Sequence, residues 1–102
     1  MTKPNQIKFR AELWKYQFEG ATAWYFFTVP YEESVQIKFH NAFSRRGWGA
    51  VKCLVRLGKS EWKTSVFPES KSGCYILPVK AEIRKINSIK EGDCFDIVVD
   101  LL

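Results

Sequence analysis

Alternation between apolar and polar side chains constrains this chain more than any other feature of its sequence. The alternation occurs in three segments, at residues 7–13, 50–57 and 95–101. In the first segment, one face carries Ile7, Phe9, Ala11 and Leu13. A period of two residues is typical of a β-strand with one buried face. The chain is therefore predicted to be mainly β.

Three further segments are predicted to be strands. Residues 24–29 are apolar on both faces, which predicts a strand covered on both sides, with Phe26 in the core. Residues 61–67 and 74–79 are predicted to form a hairpin, and Pro68 is expected to end the first of its strands.

The segments after Pro30 and Pro78 are predicted to be short helices. After Pro30, apolar side chains recur every fourth residue, at Tyr31, Val35, Phe39 and Phe43. Periodicity alone leaves a strand open there, but Glu32 and Glu33 favour a helix, because carboxylates in the first turn face the positive end of the helix dipole. After Pro78, one side carries Val79, Ile83 and Ile86, and the other carries Lys80, Arg84 and Asn87.

The order of elements indicates an internal duplication. Each half contains strand, strand, short helix and strand, and Pro30 and Pro78 are 48 residues apart. Val35 and Ile83 have the same spacing, which predicts that the two helices pack equivalently on the sheet. Closing six strands into a barrel would leave no unpaired edge. We therefore expect a six-stranded β-barrel with two short helices.

Length and composition favour one soluble domain. Residues 1–102 are too few for two cores, and 46% are hydrophobic. Residues 1–6 are expected to be a flexible N-terminal tail. The longest apolar run is far shorter than the roughly 18 residues of a spanning helix, and no apolar signal segment is present, so we expect a cytoplasmic protein with no membrane association.

Charge and cysteine content restrict the chemistry. A formal net charge of +5 favours anionic partners. Cys53, Cys74 and Cys94 are widely spaced and accompany one histidine, His40, so no zinc site, other metal site or cofactor is expected, and the thiols are predicted to be reduced and buried. No catalytic residues can be assigned, because no nucleophile has a base beside it in a known motif. Enzymatic activity stays open, with a non-enzymatic role favoured.

The sequence resembles the DUF1905 family of domains of unknown function over nearly its whole length. The resemblance is carried by residues 46–51, Trp62–Pro68, Tyr75–Ala81, Ile83–Lys85 and Gly92–Asp93, and by residues 9–14 and 24–30. It implies a small barrel of the double-split type, and it supplies no catalytic residues because the family has no established activity. Some relatives continue into a domain of the YdeI/OmpD-associated kind.

A narrower resemblance links residues 83–93 to the AbrB-type swapped-hairpin motif. Ile83-Arg84-Lys85 and Ile89-Lys90-Glu91-Gly92-Asp93 fit it, whereas Ser88 stands where that motif prefers glycine. The similarity implies a shared way of packing a helix and turn on a barrel, and it raises DNA binding as an alternative.

Three groups of residues are candidates for ligand contacts. Arg45, Arg46 and Trp48 combine guanidinium groups with an indole on a glycine-rich loop. Lys80, Arg84 and Lys85 share a short helix, where they could bind an anion or pair with surface carboxylates. Trp62 and Ser65 lie on one strand, and the tryptophans at 14, 24, 48 and 62 either wall a pocket or pack in the core.

Three functions follow from these candidates. The favoured one is a binding module for a small anionic ligand or peptide, with Trp48, Trp62 and Arg84 at the mouth of the barrel. The second is nucleic-acid binding through Arg45, Arg46, Lys80, Arg84 and Lys85. The third is an accessory domain that docks on another protein. The oligomeric state, monomer or homodimer, stays open.

Overall fold

The computed structural model describes residues 5–43 and 49–102, and of Phe43 it describes only the backbone. This part of the chain contains six strands and two helices, as the sequence predicts. They are β1 (Gln6–Tyr16), β2 (Trp24–Thr28), α1 (Tyr31–Phe43), β3 (Val51–Leu57), β4 (Ser60–Glu69), β5 (Cys74–Pro78), α2 (Ala81–Ile86) and β6 (Cys94–Leu101). Neither helix is long and apolar enough to cross a membrane.

The strands form a closed antiparallel barrel in the order β1-β2-β5-β4-β3-β6. This confirms the predicted six-stranded barrel. Because β6 pairs with β1, the sheet has no free edge between its first and last members.

Two long strands each divide their pairing between two neighbours. In β1, residues 6–12 pair with β6 and residues 13–16 pair with β2. In β4, residues 60–66 pair with β3 and residues 67–69 pair with β5. This arrangement accounts for Pro68, which was expected to end β4 but lies inside it. Pro68 lies beyond the residues that pair with β3, and its partner in β5, Tyr75, directs its own N–H and carbonyl to other elements. The missing N–H of Pro68 therefore removes no bond from either ladder.

The registers place a pseudo-two-fold axis through the barrel. Thr28 pairs with Ile76, and Cys53 pairs with Leu101. In each pair the two residues are 48 positions apart, the same spacing that separates the two prolines. Equivalent strands of the two halves therefore pair with each other, β2 with β5 and β3 with β6. A two-fold relation between the halves produces such pairs, in agreement with the predicted duplication.

The helices depart from this symmetry. Ile83 of α2 is buried, but Val35, its counterpart in α1, is 45% exposed, and Tyr31 and Phe39 are more exposed still. The prediction that both helices pack equivalently is therefore wrong. The face that α1 buries carries Ser34, Ile37 and Asn41. Apolar periodicity misidentified this face because two of its three side chains are polar.

Just after β2 ends, Ser34 bridges backbone groups of two neighbouring segments, Val29 and Tyr75. Its hydroxyl donates to the carbonyl oxygen of Val29 (2.9 Å) and accepts from the backbone N–H of Tyr75 (2.9 Å). The Val29 N–H in turn donates to the Tyr75 carbonyl (2.8 Å). A serine on the buried face of α1 therefore satisfies backbone groups that would otherwise be buried without partners.

The interior of the barrel follows the predicted alternation, with one correction in β2. Phe27, not Phe26, is fully buried, whereas Phe26 is half-buried and Trp24 is 59% exposed. The strand was expected to be covered on both sides. Its outer face instead carries aromatic side chains that pack on one another.

The N-terminal boundary also differs from expectation. The sequence predicts a flexible tail over residues 1–6, but Gln6 begins β1, and its side-chain amide donates to Asp100 Oδ1 (2.9 Å). The pairing of Gln6 with Asp100 on β6 explains the difference, because the barrel seam continues to this residue.

The three cysteines occupy different environments. Cys53 is fully buried, Cys74 is half-buried and Cys94 is exposed, so the prediction of buried thiols is wrong for Cys94. Cys94 starts β6 on its outward-facing side, where the alternation points away from the core. Burial raises the pKa of the Cys53 thiol from its ordinary value of 9.0 to about 11, against a smaller opposing effect of a backbone hydrogen bond at Val66.

We expect Cys53 to make the fold sensitive to alkali. Its pKa is higher in the folded than in the unfolded chain, so its contribution to stability is complete below about pH 9 and is lost as the pH rises through 11. The free energy of unfolding of the native sequence should fall in this range by about 1 kcal/mol per pH unit more than that of Cys53→Ala. Urea denaturation at pH 8 to 10.5 measures both slopes, and equal slopes would contradict the assignment. Burial also raises the pKa of Tyr75, but that contribution is common to both proteins.

Candidate functional site

The pairing of β2 with β5 creates a pocket at one end of the barrel. Because these strands are antiparallel, the start of β2 lies beside the end of β5, and the Val79 N–H extends the ladder to the Tyr25 carbonyl (2.9 Å). Helix α2 begins two residues later. Residues 22–25, residues 78–81 and Arg84 line a cavity of about 280 Å³, named here the Tyr25–Arg84 pocket.

Arg84 lies against the ring of Tyr25. The guanidinium carbon is 3.7 Å from the ring centroid, which is a cation–π contact. Its Nε donates to the Val79 carbonyl at a long 3.4 Å. With one face on the ring, the planar group keeps its edge available, and the two Nη atoms have no acceptor in the part of the chain that the structure describes. This is the geometry that binds a carboxylate or phosphate through two parallel hydrogen bonds.

Lys80 adds a second positive charge to the same pocket. Lys80 is the N-cap residue of α2, the Arg84 N–H donates to its carbonyl (3.1 Å), and both residues line the pocket. Over residues 5–43 and 49–102, the ion pairs join Arg10 to Asp96, and Arg56 to both Glu61 and Asp100. Neither cation of the pocket is therefore neutralised by a described carboxylate.

Trp24 forms the exposed rim of the pocket and continues into a row of aromatic rings. Its ring is nearly parallel to that of Phe26, with an interplanar angle of 11° and centroids 6.3 Å apart. Phe26 packs on Trp14 at 5.0 Å, and Trp14 Nε1 donates to Thr28 Oγ1 (2.8 Å). The orientation of Trp24 is thus supported by a packed neighbour on the same strand.

Asn87 fixes the C-terminal end of α2 and therefore the position of Arg84. Its Nδ2 donates to Ser60 Oγ (2.8 Å) and to the Ile83 carbonyl (2.9 Å), and its Oδ1 accepts from the Lys59 N–H (2.8 Å). The sequence places Asn87 on the polar side of the helix with Lys80 and Arg84. The structure gives this side chain a different role, as a clamp between α2 and the β3–β4 turn.

The predicted site residues that the structure describes occupy four different places. Arg84 and Lys80 come together in the Tyr25–Arg84 pocket, whereas Lys85 is exposed on α2 and does not line it. Trp62 is 9% exposed and belongs to the core, with its Nε1 lacking a partner among the described residues. Ser65 lines a separate depression on the outer face of β3 and β4, with Lys52, Lys63 and Phe67.

Arg45, Arg46 and Trp48 lie outside the described residues. The predicted loop contact, and the single basic face on which nucleic-acid binding through these residues depends, therefore stay predictions. The protein-interaction alternative and the cytoplasmic location also stay predictions.

Sequence reasoning missed Tyr25, and it named Trp24 only as one of four tryptophans that either wall a pocket or pack in the core. A signal for Tyr25 was present, because Tyr25 shares its face of β2 with buried Phe27, and tyrosine at the end of an inward-facing row places a polar tip at a barrel mouth. Nothing local indicated that Arg84 would reach it, since 59 residues separate the two.

The pocket combines positive charge with hydroxyl and aromatic groups. Its lining includes the hydroxyls of Thr22 and Tyr25 but no imidazole, thiol or carboxylate. Within the described ranges, no group of three or more potential metal-binding side chains comes together. The pocket thus has donors and cations for an anion, and an aromatic rim for an apolar group.

Comparison with known proteins agrees with the resemblance found in the sequence. No curated protein matches the chain. A family model described as a domain of unknown function matches residues 9–99, which include all of β2 to β5, both helices and most of β1 and β6. Since the match covers most of the barrel, the chain belongs to the DUF1905 family.

Proposed function

We propose that this protein is a non-enzymatic binding module whose Tyr25–Arg84 pocket holds the carboxylate or phosphate group of a small ligand or peptide. The observation that carries the proposal is the guanidinium of Arg84, stacked 3.7 Å from the Tyr25 ring with its Nη donors uncommitted among the described residues. Lys80 stands on the same wall without a described counter-ion.

Two physical arguments support binding of an anion at this place. A stacked guanidinium loses little conformational freedom on binding, because its orientation is already set. The second cation, Lys80, lines the same pocket, so both positive groups can contact one anion.

Titration with inorganic phosphate, followed by nitrogen-edited NMR, tests the proposal. We expect the largest shift changes at the Arg84 Nε–H and at the backbone amides of residues 22–25 and 79–81. Arg84→Gln should weaken binding roughly 10- to 150-fold, the equivalent of one charge-assisted hydrogen-bonded contact.

Lys85→Gln is the matched control. It removes the same formal charge from the neighbouring residue, which is exposed and outside the pocket. We expect it to change affinity by no more than about twofold, as exposed charges are screened. Equal losses in the two variants would mean that net charge alone attracts phosphate, and the proposal would be wrong.

A further inference from the structure

The rim of the Tyr25–Arg84 pocket contains a large apolar surface that anion binding leaves unused. Trp24 lines the pocket and is nevertheless 59% exposed. Contact with Phe26, and through Phe26 with Trp14, holds the exposed indole in place. A fixed aromatic ring beside two cations suits a ligand that carries a flat ring and an anionic group in one molecule.

We propose that the ligand is a nucleotide, with its base stacked on Trp24 and its phosphate bound by Arg84 and Lys80. This inference rests on the proposed function, because it assigns the anion to the same two cations. Phosphate fits the pair better than a single carboxylate does, since it offers enough oxygens to accept from the planar edge of Arg84 and from the ammonium of Lys80 together.

The stacking contribution can be isolated with three small probes. Adenosine monophosphate supplies base and phosphate, ribose 5-phosphate lacks the base, and inorganic phosphate lacks both base and sugar. We expect the mononucleotide to bind roughly 5- to 150-fold more tightly than ribose 5-phosphate, the fold-change equivalent to stacking one base on an aromatic side chain. Its addition should shift the Trp24 indole N–H, which ribose 5-phosphate should leave nearly unchanged.

Variants separate the two parts of the ligand. Trp24→Ala should reduce the affinity for the mononucleotide to that for ribose 5-phosphate, and should leave the affinity for inorganic phosphate unchanged. Arg84→Gln should weaken all three probes. Phe18→Ala is the control for loss of an exposed aromatic ring, since Phe18 is 69% exposed and lies outside the pocket, and it should change none of the affinities.

Failure of this inference is distinguishable from failure of the proposed function. If the mononucleotide binds no more tightly than ribose 5-phosphate while phosphate binding still depends on Arg84, the nucleotide is wrong and the anion site stands. If no probe binds, both are wrong. Phenyl phosphate that binds as tightly as the mononucleotide would also overturn the nucleotide, because any phosphorylated ring would then suffice.

A short single-stranded oligoadenylate identifies the source of the nucleotide unit. Tighter binding than that of the mononucleotide, lost in Trp24→Ala and weakened by salt, would support a strand whose further bases follow the row from Trp24 toward Trp14. Equal binding would support a free nucleotide. In both outcomes the base contacts Trp24, and the phosphate contacts Arg84 and Lys80.

Discussion

Phe27→Ala is expected to lower the free energy of unfolding by about 3 to 5 kcal/mol. Phe27 is fully buried and pairs with Leu13 of β1 on one side and Leu77 of β5 on the other, both also fully buried. Removal of its ring would leave a cavity where three strands meet. Since a domain of this size has about 5 to 15 kcal/mol of stability, the midpoint of urea unfolding should fall sharply.

The neighbouring residue is the control for this experiment. Phe26 has the same side chain in the same strand, but it faces outward between Trp14 and Trp24 and is half-buried. We expect Phe26→Ala to cost about 1 to 2 kcal/mol, the loss of two exposed aromatic contacts and some burial. A cost equal to that of Phe27→Ala would show that the assignment of faces in β2 is wrong.

Gly58→Ala is expected to cost about 2 to 4 kcal/mol, through two separate effects. Gly58 has φ of +55°, where an L side chain adds about 1 to 2 kcal/mol of strain. A Cβ at this position would also collide with Asn87 Oδ1, which accepts from the Lys59 N–H. Displacing Asn87 would weaken its three hydrogen bonds to the β3–β4 turn and to α2, a loss of about 1 to 2 kcal/mol in total.

Gly73 separates these two effects. It has φ of +74°, but a Cβ there would meet nothing within 4 Å. Gly73→Ala should therefore cost only the strain, about 1 to 2 kcal/mol by urea denaturation. In an Asn87→Ala background, Gly58→Ala should cost no more than Gly73→Ala. If the additional cost persists there, Asn87 is not its cause.

The fold was largely predictable because alternation reports a local physical requirement. Each half-buried strand must place apolar residues at every second position, and β1, β3 and β6 do so within their own sequence. In the short strand β2 and in helix α1, the apolar pattern did not identify the buried face. In α1, hydrogen bonding by Ser34, not apolar spacing, determines part of the buried face.

The turn at Ser88 could not be predicted from the identity of that residue. It departs from the AbrB-type motif, which prefers glycine at that position, and it has φ of +52°. The backbone conformation for which glycine is favoured is present although glycine is not. Identity at one position therefore did not determine the geometry of the turn.

The candidate site was predictable only in part. Lys80 and Arg84 could be recognised as a pair, because four residues along a helix make neighbours. Their partners Trp24 and Tyr25 come from the other half of the chain, and the register that joins Phe26 to Pro78 brings them into contact. No spacing within either half contains that information.

The sequence by itself determined that six segments form strands, that a helix follows each of Pro30 and Pro78, and that the halves are related by a shift of 48 positions, because each of these depends on neighbours along the chain. Tertiary structure alone decided that Phe27 rather than Phe26 enters the core, that Asn87 clamps α2, and that Arg84 stacks on Tyr25. The physical reason is that closure of the barrel determines which strands are adjacent and in what register they pair. Contacts between adjacent strands then determine which side chains are buried against protein and which face solvent.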